Sequence, residues 1–293
     1  MMHGRVPRRI RLALFAATAT TVLGGAPFAS AASTATAADA SQVSSSARDA
    51  KINQEIIGYQ NDHPGDLAGL DKLVFHYTGR HVEVAGNGIR GVLNGVQAQP
   101  YIDAANKADA RIDAAAAGRK VLVPAAGGIP AFSINVAAVP LVGPPYTMRI
   151  TGSWQFPDAW AGQGSPVDEA SLGFTALPTC MHQNAYSVNT YTYQMKSTNL
   201  GYLENANIGS SAPIWAVKDG EVGFVAQAGR GNVSVVLANY CGAKQQYGAT
   251  FNYAANQGGS VTSVSASYGL LSVGYSNPGL TRNEGTPPLY FDN

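Results

Sequence analysis

From Leu172 onward the chain is a succession of short apolar segments that alternate with polar residues and break at turn formers. In "APIWAVKDGEVGFVAQ", Asp219-Gly220 sits between two apolar runs, the pattern of a tight hairpin. "RGNVSVVLANYC", "GATFNYAANQGG" and "SVTSVSASYGLLSVGYS" follow at close spacing. Alternation with a period of two buries one face of each strand, and strands joined by short turns pair antiparallel. Residues 167–293 therefore predict an antiparallel β-sandwich or barrel. Within it, Val233, Val235 and Leu237 share one face with Cys241 and are assigned to the core.

The preceding residues read as a small α+β portion over 46–120, a helix, a hairpin and a second helix. The first helix starts near Ser46, with Asp49 three residues later as a capping partner. Ile52, Ile56 and Tyr59 recur at helical spacing, and Lys51 and Glu55 form an i,i+4 pair. His63-Pro64-Gly65-Asp66 ends it, because the residue before a proline disfavours helix. In "KLVFHYTGRHVEVAG", Leu73, Phe75 and Tyr77 alternate before Thr78-Gly79, and Val82 and Val84 alternate after it, which predicts the hairpin. The second helix has Pro100 in its first turn, a stripe of Tyr101, Ala105, Ala108 and Ile112, and a stop at Gly118. Residues 121–166 are punctuated by Pro124, Pro130, Pro140, Pro144, Pro145 and Pro157, and read as a connector with one or two edge strands at a domain boundary. The fold class is thus α+β, predominantly β.

The first residues have the form of an export signal. Arg5, Arg8, Arg9 and Arg11 precede an uncharged run from Leu12 to Val22, and Ala29-Ser30-Ala31 is a small-x-small cleavage site. Gly24, Gly25 and Pro27 break that run before it reaches the roughly 20 apolar residues of a membrane span. The expectation is a signal peptide over 1–31 cut near Ala31, a disordered leader over 32–45, and a secreted product. Four of the 19 Lys and Arg lie in residues 1–31 and none of the 18 Asp and Glu does, so the remainder is mildly acidic. That balance points away from nucleic acid as a partner.

Cys180 and Cys241 are the two cysteines of the chain. Two thiols in one exported chain pair in an oxidising compartment, and closing a loop of this size contributes about 4 kcal/mol by chain entropy. The rival reading makes Cys180 a nucleophile with His182 as its base. Catalytic Cys–His pairs are brought together by the fold rather than by adjacency in sequence, so the disulfide is preferred and His182 becomes a surface histidine.

The standard catalytic signatures are missing: no G-x-S-x-G, no H-E-x-x-H, and no phosphate-binding or dinucleotide loop. If "KLVFHYTGRHVEVAG" is a hairpin, His76 and His81 face each other with Glu83 beside them, a set able to hold zinc. The plain reading of that trio is a solvated hairpin face, and no metal or cofactor is assigned. Asp158, Asp168, Glu169 and Glu204 are carboxylates of the kind glycoside hydrolysis uses, though nothing in the sequence pairs them. Trp154, Trp160, Tyr191 and Tyr193 are the aromatic side chains expected to form a binding surface, with core packing as the competing fate of the tryptophans.

Residues 245–281 contain no Lys, Arg, Asp or Glu. Central strands covered on both sides, a self-association surface and a membrane-entering hairpin each account for such a stretch; an ordinary sandwich strand shows the same alternation, and no stable membrane span is expected. The function expected is a secreted, non-catalytic binding or surface-associated module for polysaccharide, peptide or another copy of itself. The alternatives are a secreted hydrolase with a site assembled from distant residues, and a secreted enzyme inhibitor.

Overall fold

The structure is a computed structural model that describes residues 37–63, 66–86, 89–92, 129, 131–156, 168–191, 197–198, 201–205, 212–217, 230–243, 245–257, 260–276 and 279–292. Helix α1 (Ala37–Asp62) begins inside the stretch expected to be a disordered leader, where Ala37, Ala38 and Ala40 favour helix. It stops just before His63-Pro64, as the proline requires.

Helix α2 (Leu67–Thr78) occupies the place of the first hairpin arm. Its signals are local. The Asp66 carboxylate accepts from the Gly69 backbone N–H at 2.9 Å. At the far end Gly79 takes the left-handed conformation (φ 67°), and its N–H donates to the Phe75 carbonyl. Leu67, Leu70 and Val74 recur at helical spacing and are buried. A strand would have put Leu73, Phe75 and Tyr77 on one inner face. Instead Val74 is 0% exposed and Phe75 is 48% exposed. Only the second arm is extended, as β1 (Glu83–Gly86), which pairs with β2 (Ile89–Val92). The helix expected over 100–118 and the Asp219-Gly220 turn lie outside the described residues.

The Pro/Gly-rich connector supplies β3 (Ser133–Leu141) and β4 (Tyr146–Gln155), which are interior strands rather than edges. Pro140 is tolerated there because β1 runs alongside β3 only as far as Ala138. The remaining strands are β5 (Asp168–Phe174), β6 (Met181–Tyr191), β7 (Ser197–Thr198), β8 (Gly201–Asn205), β9 (Ile214–Val217) and β10 (Arg230–Asn239). They are followed by β11 (Gln246–Gln257), β12 (Ser260–Ser267), β13 (Leu270–Ser276), β14 (Leu280–Gly285) and β15 (Leu289–Asp292). A seven-stranded antiparallel sheet runs β2-β1-β3-β4-β10-β6-β7. A second sheet runs β14-β11-β5-β9-β8, with β15 also on β11, and β12 and β13 form a separate hairpin.

The two sheets pack face to face. Ile134 and Val136 of β3, Met148, Ile150 and Trp154 of β4, and Val233, Val235 and Leu237 of β10 meet Leu172, Phe174, Trp215, Phe251 and Tyr253 of the second sheet in one core. The alternation read in β10 is therefore the buried face. The Trp154 ring stacks on Tyr253, with ring centres 4.6 Å apart and planes at 24°. At Gly152 the sheets approach closely: a Cβ there would lie 2.0 Å from the Phe251 ring.

The opposite face of the first sheet is covered by the helices. Ala137, Val139 and Leu141 of β3 pack against Ile56, Leu70 and Val74, with Val82 and Val84 beside them. Each such side chain, fully buried, contributes about 1.5–3 kcal/mol relative to exposure. A buried guanidinium lies in this layer. Arg149 of β4, 2% exposed, donates to Gln60 Oε1 at 2.7 Å, Ser234 Oγ at 3.0 Å and Asn61 Oδ1 at 3.2 Å. Those bonds tie the end of α1 to β4 and β10.

The part of the uncharged stretch that forms β11 has a structural account. Along β11, Tyr247, Ala249, Phe251, Tyr253 and Ala255 face the core, while Thr250, Asn252 and Asn256 are buried on the other side. A strand covered on both faces has no room for an unpaired charge. Among the described residues no helix is long and apolar enough to cross a membrane.

Gly152→Ala should destabilise the fold by about 1–3 kcal/mol, the usual cost of overpacking a tight core. Urea denaturation followed by tryptophan fluorescence reads this directly; an unchanged midpoint would contradict the close approach of the sheets.

Candidate functional site

A cleft of about 680 Å³ opens where three chain segments meet at one end of the first sheet. The end of α2 contributes Tyr77, Thr78 and Arg80, the β3–β4 turn contributes Leu141 to Tyr146, and the end of β10 contributes Asn239, Tyr240 and Gly242. Tyr146 and Tyr240 are 51% and 58% exposed, so both side chains are open to solvent.

Each segment is fastened. Asn53 of α1 clamps the β3–β4 turn: its Oδ1 accepts from the Val142 N–H at 2.8 Å and its Nδ2 donates to the Val142 carbonyl at 3.0 Å. Gly143 then takes φ 102°, and the Pro144-Pro145 bond is cis, which turns the chain into β4 just before Tyr146. Thr78 Oγ1 donates to the Val74 carbonyl at 2.8 Å and accepts from the Arg80 N–H at 3.0 Å, closing the end of α2. The Arg80 guanidinium donates to the Asp292 carbonyl, joining this corner to the last strand.

At the third segment the disulfide is decisive. Cys180 and Cys241 are bonded, with Cα atoms 5.1 Å apart and a sequence separation of 61. The Tyr240 N–H donates to the Cys180 carbonyl at 2.9 Å, and Asn239 Oδ1 accepts from the Cys241 N–H at 2.8 Å. The exposed His182 ring leans on Tyr240, with centres 5.0 Å apart and planes at 48°. The stretch around Cys180 is thus a covalent staple that positions an aromatic side chain, and His182 is a surface residue. The nucleophile reading of Cys180 is excluded by the bond itself.

The lining is phenols, prolines, a threonine, an asparagine and one arginine, with no carboxylate, imidazole or thiol among the described residues that form it. Tyr77 donates its hydroxyl to Glu55 Oε2 at 2.8 Å. That bond holds the phenol above its ordinary range, with burial and the Glu55 charge adding to it. Tyr77 therefore stays neutral. Such a surface is suited to ring contact and hydrogen bonding.

The aromatic set expected from sequence is distributed differently. Trp154 is 3% exposed and lies in the inter-sheet core, because even-numbered positions of β4 face inward; it is not a surface platform. Tyr191 ends β6, with its side chain outside the described residues, and Tyr193 and Trp160 also lie outside them. Tyr77, Tyr146 and Tyr240 were missed, since they come from three places in the chain.

The zinc trio is not assembled. His76 is on α2, while His81 Nδ1 lies 3.0 Å from the Asp71 carboxylate and its ring stacks on Phe75 at 4.5 Å. Asp71 also accepts the Val82 N–H at 2.7 Å. Burial holds the Glu83 carboxyl above its usual range, with the Arg80 charge opposing the rise and the Asp292 charge adding to it. No group of three or more His, Cys, Asp or Glu among the described residues could hold a metal ion. Of the carboxylates, Asp158 lies outside the described residues. Asp168 accepts from the Tyr253 hydroxyl at 2.6 Å and the Asn256 N–H at 2.8 Å, and burial pushes the Glu169 carboxyl up to about 9, with the Glu204 charge adding to the rise.

No family model and no curated protein matches the chain. Among solved structures it is similar to the KRT10-binding region domain of the pneumococcal serine rich repeat protein PsrP, at 13% identity over 42% of this chain and 77% of that one. The TM-score is 0.20, too low for any conclusion about this chain to rest on the match.

Replacing both Cys180 and Cys241 with Ala should cost about 4 kcal/mol of stability if the stabilisation is that of loop closure. Equilibrium urea unfolding of the oxidised parent and the double variant measures it, and equal midpoints would count against the staple.

Proposed function

We propose that the chain is an extracellular binding module whose cleft holds a polysaccharide strand. The carrying observation is the pair of exposed rings, Tyr146 and Tyr240, flanking a 680 Å³ cleft that has hydrogen-bonding side chains but no acid–base group among its described lining residues. Sugar rings have apolar C–H faces that stack on aromatic side chains, while their hydroxyls bond to groups such as the Tyr146 and Tyr240 hydroxyls. A rigid cleft also lowers the entropic cost of binding, and all three of its walls are tied down.

A structural disulfide persists where the surroundings are oxidising, which supports the secreted setting expected from the leader. Self-association and peptide binding draw on the same exposed aromatic surface, but the tyrosine hydroxyls along the cleft favour sugar.

In pull-down against insoluble cell-wall and plant polysaccharides, the protein should be retained by at least one of them. Tyr146→Ala and Tyr240→Ala should each weaken binding about tenfold, the effect of losing one stacked anchor. Tyr202→Ala, an exposed tyrosine on β8, should leave it unchanged. Retention that ignores both cleft substitutions, or binding of extended peptides with no glycan bound, would overturn the proposal.

A further inference from the structure

The uncharged stretch has a second part, and burial does not account for it. β12 and β13 contain no Lys, Arg, Asp or Glu, yet Leu271 is the one residue of these two strands that is buried. They pair with each other in the register Ser263–Gly274, Val264–Val273, Ser265–Ser272, Ala266–Leu271 and Ser267–Leu270. The hairpin folds back over the outer face of the second sheet, where both strands rest on β5 and β13 also meets β11. Its turn is fastened there. The Gly269 N–H donates to Thr250 Oγ1 at 2.8 Å, and a Cβ on Gly173 would lie 2.6 Å from the Ser267 carbonyl oxygen.

Directly opposed residues share a face, and so do positions two apart on a strand. Val264, Ala266, Leu271 and Val273 therefore point down at the second sheet, while Ser263, Ser265, Ser267 and Ser272 point to solvent. Exposure follows that division: the four serines are exposed. β13 is held down by Leu271, whereas no residue of β12 is buried, so β12 is the more open strand of the pair.

Among the described residues neither strand pairs with any strand but the other. In an antiparallel ladder part of each strand's N–H and C=O groups points away from its neighbour, so the free edge of β12 is a row of unpaired donors and acceptors. Elsewhere the molecule guards such edges. β14 carries Arg282 and Glu284, joined at 2.8 Å, and β15 carries Asp292. β8 carries the exposed Glu204, β2 carries Arg90, and β7 is only two residues long. Charge and brevity are the usual protections against strand addition. β12 has neither, and no proline. Its irregularity lies between Val261 and Ser263, which leaves Ser263 to Ser267 in regular register.

We propose that β12 is a dimerisation edge, pairing antiparallel with β12 of a second copy of this chain. A two-fold axis brings a strand against itself in the antiparallel sense. With the axis at Ser265, that residue meets its own copy, Ser263 of one chain lies opposite Ser267 of the other, and Val264 lies opposite Ala266. The serines then form one solvent face and bond across the strands, while valine and alanine continue the inner row. An edge without charge has nothing with which to select a differently charged chain, and a second copy supplies the same run in matching register. The hairpin shares no residue with the cleft, so this interface stands apart from the glycan reading.

Sedimentation velocity of the full chain over a range of concentrations tests the proposal. A strand pairing this short makes a small interface, so a dimer with a Kd of about 100 μM is expected, and the sedimentation coefficient should rise between about 10 μM and 1 mM. Ser265→Lys sets two ammonium groups against each other at the axis and should weaken the dimer about tenfold. The residue is exposed, so the thermal midpoint and near-UV circular dichroism of that variant should match the parent. Ser265→Thr keeps the hydroxyl, favours strand and should dimerise at least as well as the parent. Ser272→Lys lies on the same solvent face but one strand away from the axis, and should keep the dimer. A parent that stays monomeric up to about 1 mM overturns the proposal. So does a dimer that Ser265→Lys leaves intact, or one that Ser272→Lys abolishes. Glycan retention is a separate measurement, so either proposal can fail without the other.

Discussion

The structure depends on the close approach of two antiparallel sheets at Gly152. With no side chain there, the Phe251 ring lies against the β4 backbone, and Trp154 stacks on Tyr253 two residues along. That contact fixes which face of β4 is inside. Once Met148, Ile150 and Trp154 point inward, Arg149 and Thr151 must point toward the helices, where Gln60 bonds to both. A single choice of strand phase thus positions the core, the helical layer and the buried arginine.

The cleft follows from the ends of the same elements. β3 and β4 turn back at Gly143-Pro144-Pro145, β10 ends opposite Tyr146, and α2 runs out at Gly79 beside them. Strand ends are where side chains escape the layered packing, so Tyr146 and Tyr240 are exposed although their neighbours Leu141 and Asn239 are buried. The disulfide holds the β10 end to the segment before β6, which keeps Tyr240 from swinging with an otherwise free loop. The work of the site is done by clamps on backbone: Asn53 on Val142, Asn239 on Cys241 and Thr78 on Arg80.

How much of this was legible in the sequence varied with the range of the interaction that decides it. The β10 alternation was plain, because Val233, Val235 and Leu237 face one way and each is fully buried. The cysteine pair was plain by arithmetic and compartment. α2 was misread because Leu73, Phe75 and Tyr77 also fit a period of two; the deciding signals were the Asp66 cap and Gly79, a helix stop taken for a hairpin turn. The connector was misread for a different reason. Prolines at 140, 144 and 145 suggest an edge, but Pro140 lies beyond the reach of β1 and the other two form the turn itself. The cleft was not legible at all, since no local pattern links Tyr77, Tyr146 and Tyr240.

If function resides where those three fastened segments converge, a bound ligand must touch all three. Backbone amide chemical-shift mapping, with a soluble fragment of the retained polysaccharide added to isotopically labelled protein, tests it most directly. The perturbed amides should cluster at Tyr77 to Arg80, Val142 and Gly143, Tyr146, and Asn239 to Gly242. Perturbations confined to the outer face of the second sheet, with the cleft amides unmoved, would contradict it.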